Sequence, residues 1–188
     1  VGNVADPWQM VERYGVDALR WWMYSVNQPG ESKNFDETAV KEAANKFFTP
    51  LLNTLNFYTL YAVQTSPPLG SLAPSDPATG GMASRVGIQA AASSAENLLD
   101  RWLAARLEQT GAALTDHLDH YQVTEAARWL QDLVTDLSQW WLRRSRARFK
   151  AEGEPASSAD RRAAASAALR QALTTIAGWL APFCPFSA

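Results

Sequence analysis

An all-α fold is what this sequence predicts: an antiparallel bundle of four long helices preceded by a small helical appendage. Apolar side chains recur at spacings of three and four over four long stretches, which is the pattern of helices with one buried face. No stretch of useful length alternates with the period of two that a half-buried strand shows. Helices with a single apolar stripe must bury those stripes against one another, so a bundle follows.

The appendage, residues 1–35, is expected to contain two short helices. Asp6 followed by Pro7 is typical of an N-cap and the first position of a helix, and Gly15 is expected to end that helix. Asp17 is predicted to cap the next helix, which a Pro-Gly pair terminates. The residues predicted to face inward from this second helix are Ala18, Leu19, Trp22 and Met23.

The bundle is predicted to span residues 36–188, and its first helix runs from about residue 37 to about residue 63. Pro50 lies inside that helix. Because proline lacks an N–H and crowds the carbonyl four residues before it, we expect a kink there and not a break. The apolar stripe of this helix consists of Val40, Ala44, Phe47, Leu51, Leu55, Tyr58 and Ala62.

Three further helices complete the predicted bundle. The second runs from about residue 95 to about residue 118, the third starts at a Thr124 cap, and the fourth stops at Pro182 or Pro185. The inward positions of the second helix are Leu99, Trp102, Leu103, Leu107, Leu114 and Leu118. Those of the third are Ala126, Leu130, Leu133, Leu137, Trp140 and Trp141, and those of the fourth are Leu169, Leu173, Ile176, Leu180 and Phe183.

Residues 64–94, between the first two long helices, have the composition of a linker. They are rich in proline, glycine and serine and poor in large apolar side chains. A segment of this kind cannot bury enough apolar surface to offset the entropy of ordering it, so we expect it to be mobile.

Composition limits the kinds of function that the chain can carry. The net charge is −2, so any nucleic-acid binding must come from a local basic patch. Cys184 is the single cysteine, which excludes an internal disulfide and a thiolate metal site. His117 and His120 are three residues apart with no third ligand nearby, which favours a surface pair over a metal site. No catalytic constellation is visible, and no metal site is predicted.

The strongest functional candidate is a basic cluster at the end of the third long helix. Five cations fall within eight residues: Arg143, Arg144, Arg146, Arg148 and Lys150. A guanidinium matches phosphate oxygens, and each phosphate contact releases counterions, so the cluster suits an RNA backbone. Two structural alternatives stay open: favourable interaction with the helix dipole, and ion pairs with Asp132, Asp136, Glu152 or Glu154.

Arg144 and Arg148 raise a further question, because they continue the apolar register of Leu137 and Trp141. They are either presented beyond the end of the bundle or partly buried and paired; the sequence leaves both options open. Trp140 stands just before the cluster, where an indole face could stack on an unpaired base. Adjacent helix positions differ by about 100°, so at most one of the two tryptophans faces the core squarely.

Secondary RNA-binding candidates lie on the first long helix, where Lys41, Lys46 and Asn53 supply polar and charged groups. These three side chains are equally well explained as polar groups that only face the solvent.

Several ordered blocks resemble the class I aminoacyl-tRNA synthetases of the isoleucine, leucine and valine group, and the isoleucyl enzymes in particular. The blocks are residues 17–20 (Asp-Ala-Leu-Arg), 46–48 (Lys-Phe-Phe), 99–102 (Leu-Asp-Arg-Trp), 136–149 (with Trp-Trp-Leu-Arg-Arg) and 180–186. They occur in the family's order, and the resemblance as a whole extends over most of the chain except residues 64 to about 95. The resemblance is to the helical anticodon-binding domain of these class Ia enzymes.

This resemblance implies that the chain is part of a larger ligase that joins isoleucine to its tRNA in the cytoplasm. The parent enzyme would use ATP and Mg²⁺, with zinc possible in regions outside this chain. Gly2 and Asn3 would flank the KMSKS catalytic loop, and Arg20 would have a structural role, bridging segments in the region that links the catalytic core to the bundle. The partners expected are an isoleucine-accepting tRNA and the catalytic domain of the same polypeptide, with no membrane.

The same resemblance implies that this domain positions the tRNA and carries no catalytic residue itself. We therefore expect it to be unable to aminoacylate alone. We also expect it to be monomeric. Two alternatives remain: the equivalent domain of a leucyl or valyl enzyme, and a helical protein-interaction scaffold that binds no RNA.

Overall fold

A computed structural model describes residues 6–33, 35–61, 97–149 and 156–188. Within these ranges there are helices and turns and no strand, so the all-α class is confirmed. The helices are α1 (Pro7–Tyr14), α2 (Val16–Ser25), α3 (Glu37–Tyr61), α4 (Leu98–Asp119), α5 (Val123–Thr135), a π-helical segment (Asp136–Leu142), α6 (Arg143–Phe149) and α7 (Ala156–Leu180). Gly2, Asn3, Lys150 and the predicted linker 64–94 lie outside the described residues. None of the described helices is long and apolar enough to cross a membrane.

The continuous rod formed by α5, the π segment and α6 supplies the middle of the core. Its residues Leu130, Leu133, Leu137 and Trp141 are fully buried. Around it, α4 contributes Leu103, Leu107 and Leu114, and α7 contributes Leu169, Leu173, Ile176 and Leu180. These positions confirm the apolar stripes predicted for the later helices, whereas Leu118 and Trp140 are exposed.

Helix α3 runs without interruption through Pro50. Val40, Phe47 and Tyr58 of its predicted stripe are buried, but Leu55 is exposed and Thr54 is buried in its place. The Thr54 hydroxyl donates to the Pro50 carbonyl at 2.8 Å, so this buried polar group is satisfied within the helix.

The helix starts differ from the predictions at two positions. Asp6 caps α1 as expected by accepting from the Trp8 N–H at 3.0 Å, and Gly15 ends α1 with φ at +81°. The prediction that Asp17 caps α2 was wrong, because α2 begins at Val16 and Asp17 is buried in its first turn. Thr124 is likewise buried inside α5 and does not cap it.

The appendage packs directly onto the bundle through α2. Trp21 is fully buried and stacks on Phe47 of α3, with ring centroids 3.8 Å apart. Arg20 donates to the main-chain carbonyls of Phe183, at 2.8 Å, and Pro182, at 3.2 Å. This contact confirms that Arg20 bridges segments, whereas Met23, predicted to face inward, is exposed. The domain division after residue 35 stays a prediction.

Candidate nucleic-acid interface

The π-helical segment decides which side chains of the basic cluster face the solvent. Over residues 136–142 the backbone hydrogen bonds span five residues in place of four, which widens the turn. As a result the inward register of α6 is delayed by about one residue. Ser145 and Phe149 take the buried positions, with 0% and 1% exposure, and Arg144 is exposed.

Arg148 is held inside the bundle by an ion pair. Its Nη1 and Nη2 donate to Oδ1 and Oδ2 of Asp100 at 2.8 and 2.6 Å. Asp100 is only 5% exposed and also accepts from the Trp141 indole N–H at 3.2 Å. A two-point contact of this kind between a buried carboxylate and a partly buried guanidinium fixes α6 to the start of α4. This contact gives Arg148 a structural role, and its part in RNA binding stays a prediction.

Three arginines of the cluster are exposed on α6: Arg143, Arg144 and Arg146. None of them forms an ion pair with another described residue. Asp136, one of the carboxylates proposed to neutralise the cluster, pairs instead with Arg106 of α4 at 2.8 Å. Among the described residues, these three cations therefore keep their charge available to a ligand.

Trp140 and Trp141 point to different environments, as predicted. Trp141 is fully buried, whereas Trp140 is 44% exposed. The guanidinium carbon of Arg144 lies 3.6 Å from the centroid of the Trp140 ring, which is a close cation–π contact. Trp102 of α4 adjoins the same ring, with centroids 6.3 Å apart.

Two further cations lie at this end of the bundle and were not among the residues predicted to bind RNA. Arg161 and Arg162 lie on α7, and Arg162 donates to the carbonyl of Tyr61 at 3.0 Å. The Arg148 guanidinium approaches the carbonyl of Arg161 at 3.5 Å. The start of α7 therefore lies beside the ends of α3 and α6. The order of the helices could have indicated this position, because consecutive antiparallel helices bring the end of one beside the start of the next.

Lys41, Lys46 and Asn53 are exposed on α3. Their part in RNA binding stays a prediction.

The comparisons with known proteins agree with the resemblance found in the sequence. Residues 100–188 match the family described as the anticodon-binding domain of tRNA ligase. The chain is 37% identical over 187 residues to the isoleucine–tRNA ligase of Deinococcus radiodurans and 35% identical over 188 residues to that of Thermus thermophilus. The alignments cover 100% of this chain but only 15% and 16% of those relatives.

A solved structure has a similar fold. It is the LeuRS of Agrobacterium radiobacter K84 in a ternary complex with tRNA and LeuAMS. The TM-score is 0.65 at 16% sequence identity, over 99% of this chain and 18% of that one. At this identity the likeness concerns the fold, whereas the relatives at 35% and 37% identity favour the isoleucyl interpretation over the leucyl one.

Proposed function

We propose that this chain, whose residues 100–188 match the anticodon-binding domain family of tRNA ligases, grips the anticodon stem and loop of an isoleucine-accepting tRNA. The complete ligase activates isoleucine with ATP and Mg²⁺ and transfers it to the tRNA, using regions outside this chain. The contribution of this domain is to place the acceptor end of the tRNA at that distant reaction centre.

The observation that carries this proposal is the group of exposed arginines on α6, here called the arginine face: Arg143, Arg144 and Arg146. Guanidinium groups bind phosphate oxygens in a two-point geometry, and several of them on one helix follow a nucleic-acid backbone. One or two cations suffice to stabilise the end of a helix through its dipole. Interaction with the helix dipole therefore does not explain all the arginines of the cluster.

A salt titration with labelled tRNA tests the proposal. We expect the wild-type chain to bind with an affinity that falls steeply as salt concentration rises. In the Arg143→Gln/Arg146→Gln variant, the slope of log K against log salt should become shallower by about 0.7 to 0.9 for each phosphate that the variant no longer neutralises.

The matched control removes two exposed arginines elsewhere, in the Arg13→Gln/Arg128→Gln variant. Its salt slope should stay close to the wild-type slope, because Arg13 pairs with Glu37 and Arg128 donates to the Val26 carbonyl. Absent or salt-independent binding by the wild-type chain would contradict the proposal and favour a protein-interaction scaffold.

A further inference from the structure

Trp140 is an aromatic side chain that the fold leaves on the surface although its sequence neighbour is in the core. It is 44% exposed, while Trp141 is fully buried. Both belong to the π-helical segment, which changes the orientation of successive side chains relative to a regular α-helix. The exposed part of the indole leaves apolar surface in water, which favours a partner that covers it.

The Trp140 ring is held in place by residues of two helices. Arg144 lies over the ring at 3.6 Å, and Trp102 approaches it from α4 at 6.3 Å. Four residues before Trp140, Asp136 is tied to Arg106 of α4 by the 2.8 Å ion pair. The π segment is therefore fastened to α4 next to the exposed ring, so little further ordering is needed when a ligand binds.

The chemistry of this arrangement suits a nucleobase that is not paired. Bases released from a helix stack on aromatic rings and on guanidinium planes, and Trp140 with Arg144 offers both kinds of surface. Arg144 belongs to the arginine face, so a backbone held there brings its bases near the indole. A base inside a duplex is already stacked and cannot use such a surface.

From this geometry we infer that Trp140 and Arg144 form a stacking platform for one unpaired base of the RNA loop. The inference rests on the proposed RNA-binding function and adds to it a selectivity for single-stranded over double-stranded RNA. Arg143 and Arg146 then supply affinity for the backbone of either form.

The test compares two RNAs that carry the same number of phosphates: an anticodon stem–loop hairpin and a fully paired duplex. Binding of each is measured at one low salt concentration with the wild-type chain, Trp140→Leu, Trp140→Phe and Arg144→Lys. Trp140→Leu should weaken hairpin binding roughly 5- to 150-fold, the range for removal of one base stack, and leave duplex binding unchanged. Trp140→Phe, which keeps a ring, should restore part of the hairpin affinity.

Arg144→Lys keeps the charge but removes the guanidinium plane, so it should weaken hairpin binding more than duplex binding. The control is Trp8→Leu, which removes a tryptophan that is 75% exposed on α1, and it should bind both RNAs like the wild type. Thermal unfolding of each variant verifies that the fold is intact.

The two proposals fail in different ways. If the wild type binds both RNAs and Trp140→Leu weakens both equally or neither, the platform is refuted and the arginine face still stands. If the wild type binds neither RNA, the proposed function is refuted, and the platform with it.

Discussion

Asp100 accepts three hydrogen bonds at a position that is almost closed to solvent, two from Arg148 and one from the Trp141 indole. The carboxylate and the guanidinium lose most of their hydration here, and their mutual contact compensates for that loss. Removing one partner leaves the other charged and buried, which is far costlier than removing both. This pair is therefore a structural link between α4 and α6.

We expect Asp100→Asn to lower the free energy of unfolding by about 3 to 5 kcal/mol, because Arg148 keeps its charge without a counter-ion. Urea denaturation followed by circular dichroism measures this change. Asp132→Asn, at an exposed site on α5, is the control and should change stability by less than about 0.5 kcal/mol.

The double variant Asp100→Leu/Arg148→Met should recover part of the stability that Asp100→Asn removes, since neither charge then remains buried. If it also binds tRNA with the wild-type salt slope, Arg148 makes no phosphate contact. A slope that falls as much as in Arg143→Gln/Arg146→Gln would contradict the structural role given to Arg148.

At the scale of the helices, contacts between α2 and the C-terminal turn (residues 181–187) join the appendage to the end of the bundle. We call this set of contacts the clasp. Ser187 donates to the Asp17 carboxylate at 2.6 Å, and Arg20 donates to the carbonyls of Phe183 and Pro182. Cys184 is fully buried between them. Burial, with a smaller contribution from Asp17, raises the pKa of the Cys184 thiol to about 12.

We expect Cys184 to react very slowly with a thiol reagent in the native chain at neutral pH, because the thiol is buried and protonated. Arg20→Gln should speed the reaction by opening the clasp and should lower the free energy of unfolding by about 1 to 3 kcal/mol. Reaction rate and urea denaturation are measured on the same samples.

The direction of the change in reaction rate distinguishes opening of the clasp from the loss of the Arg20 charge. The Arg20 charge lowers the pKa of the Cys184 thiol, so its removal alone would raise that pKa and slow the reaction. A rate in Arg20→Gln that is equal to or below the wild-type rate would therefore refute the clasp. Arg13→Gln, on α1, serves as the control.

For the molecule as a whole, two exposed carboxylates lie far along the bundle from the arginine face. The arginine face lies at the end where α4 begins, and Asp116 and Asp119 are exposed at the end where α4 finishes. The 22 residues of α4 span about 33 Å, several times the Debye length of about 8 Å at physiological salt. These two carboxylates therefore have little influence on an RNA bound at the arginine face.

We expect local charge, and not net charge, to govern tRNA affinity. Asp116→Asn/Asp119→Asn changes the net charge from −2 to 0, yet affinity at physiological salt should stay within about twofold of the wild type. Arg143→Gln/Arg146→Gln changes the net charge to −4 and should weaken binding strongly. If the two variants changed tRNA affinity by similar factors in opposite directions, affinity would instead depend on net charge.

The helical bundle could be predicted from the order of residues alone, because amphipathic spacing is local information that each helix carries independently. Leu130, Leu133 and Leu137, or Leu169, Leu173 and Ile176, had to be buried wherever their helices packed. The basic cluster and the family resemblance could be read in the same way, from residues near one another in the chain.

Which members of that cluster reach the solvent depends instead on how the helices pack in three dimensions. Regular helical periodicity predicts Arg144 and Arg148 on the same face. The π segment shifts the register, so Arg144 is exposed and its guanidinium lies over the Trp140 ring. Arg148 is partly buried and paired with Asp100, a residue 48 positions earlier in the chain. Neither the widened turn nor that distant carboxylate can be read from the spacing of apolar residues, and the carboxylate reaches Arg148 only because α4 packs against the central rod.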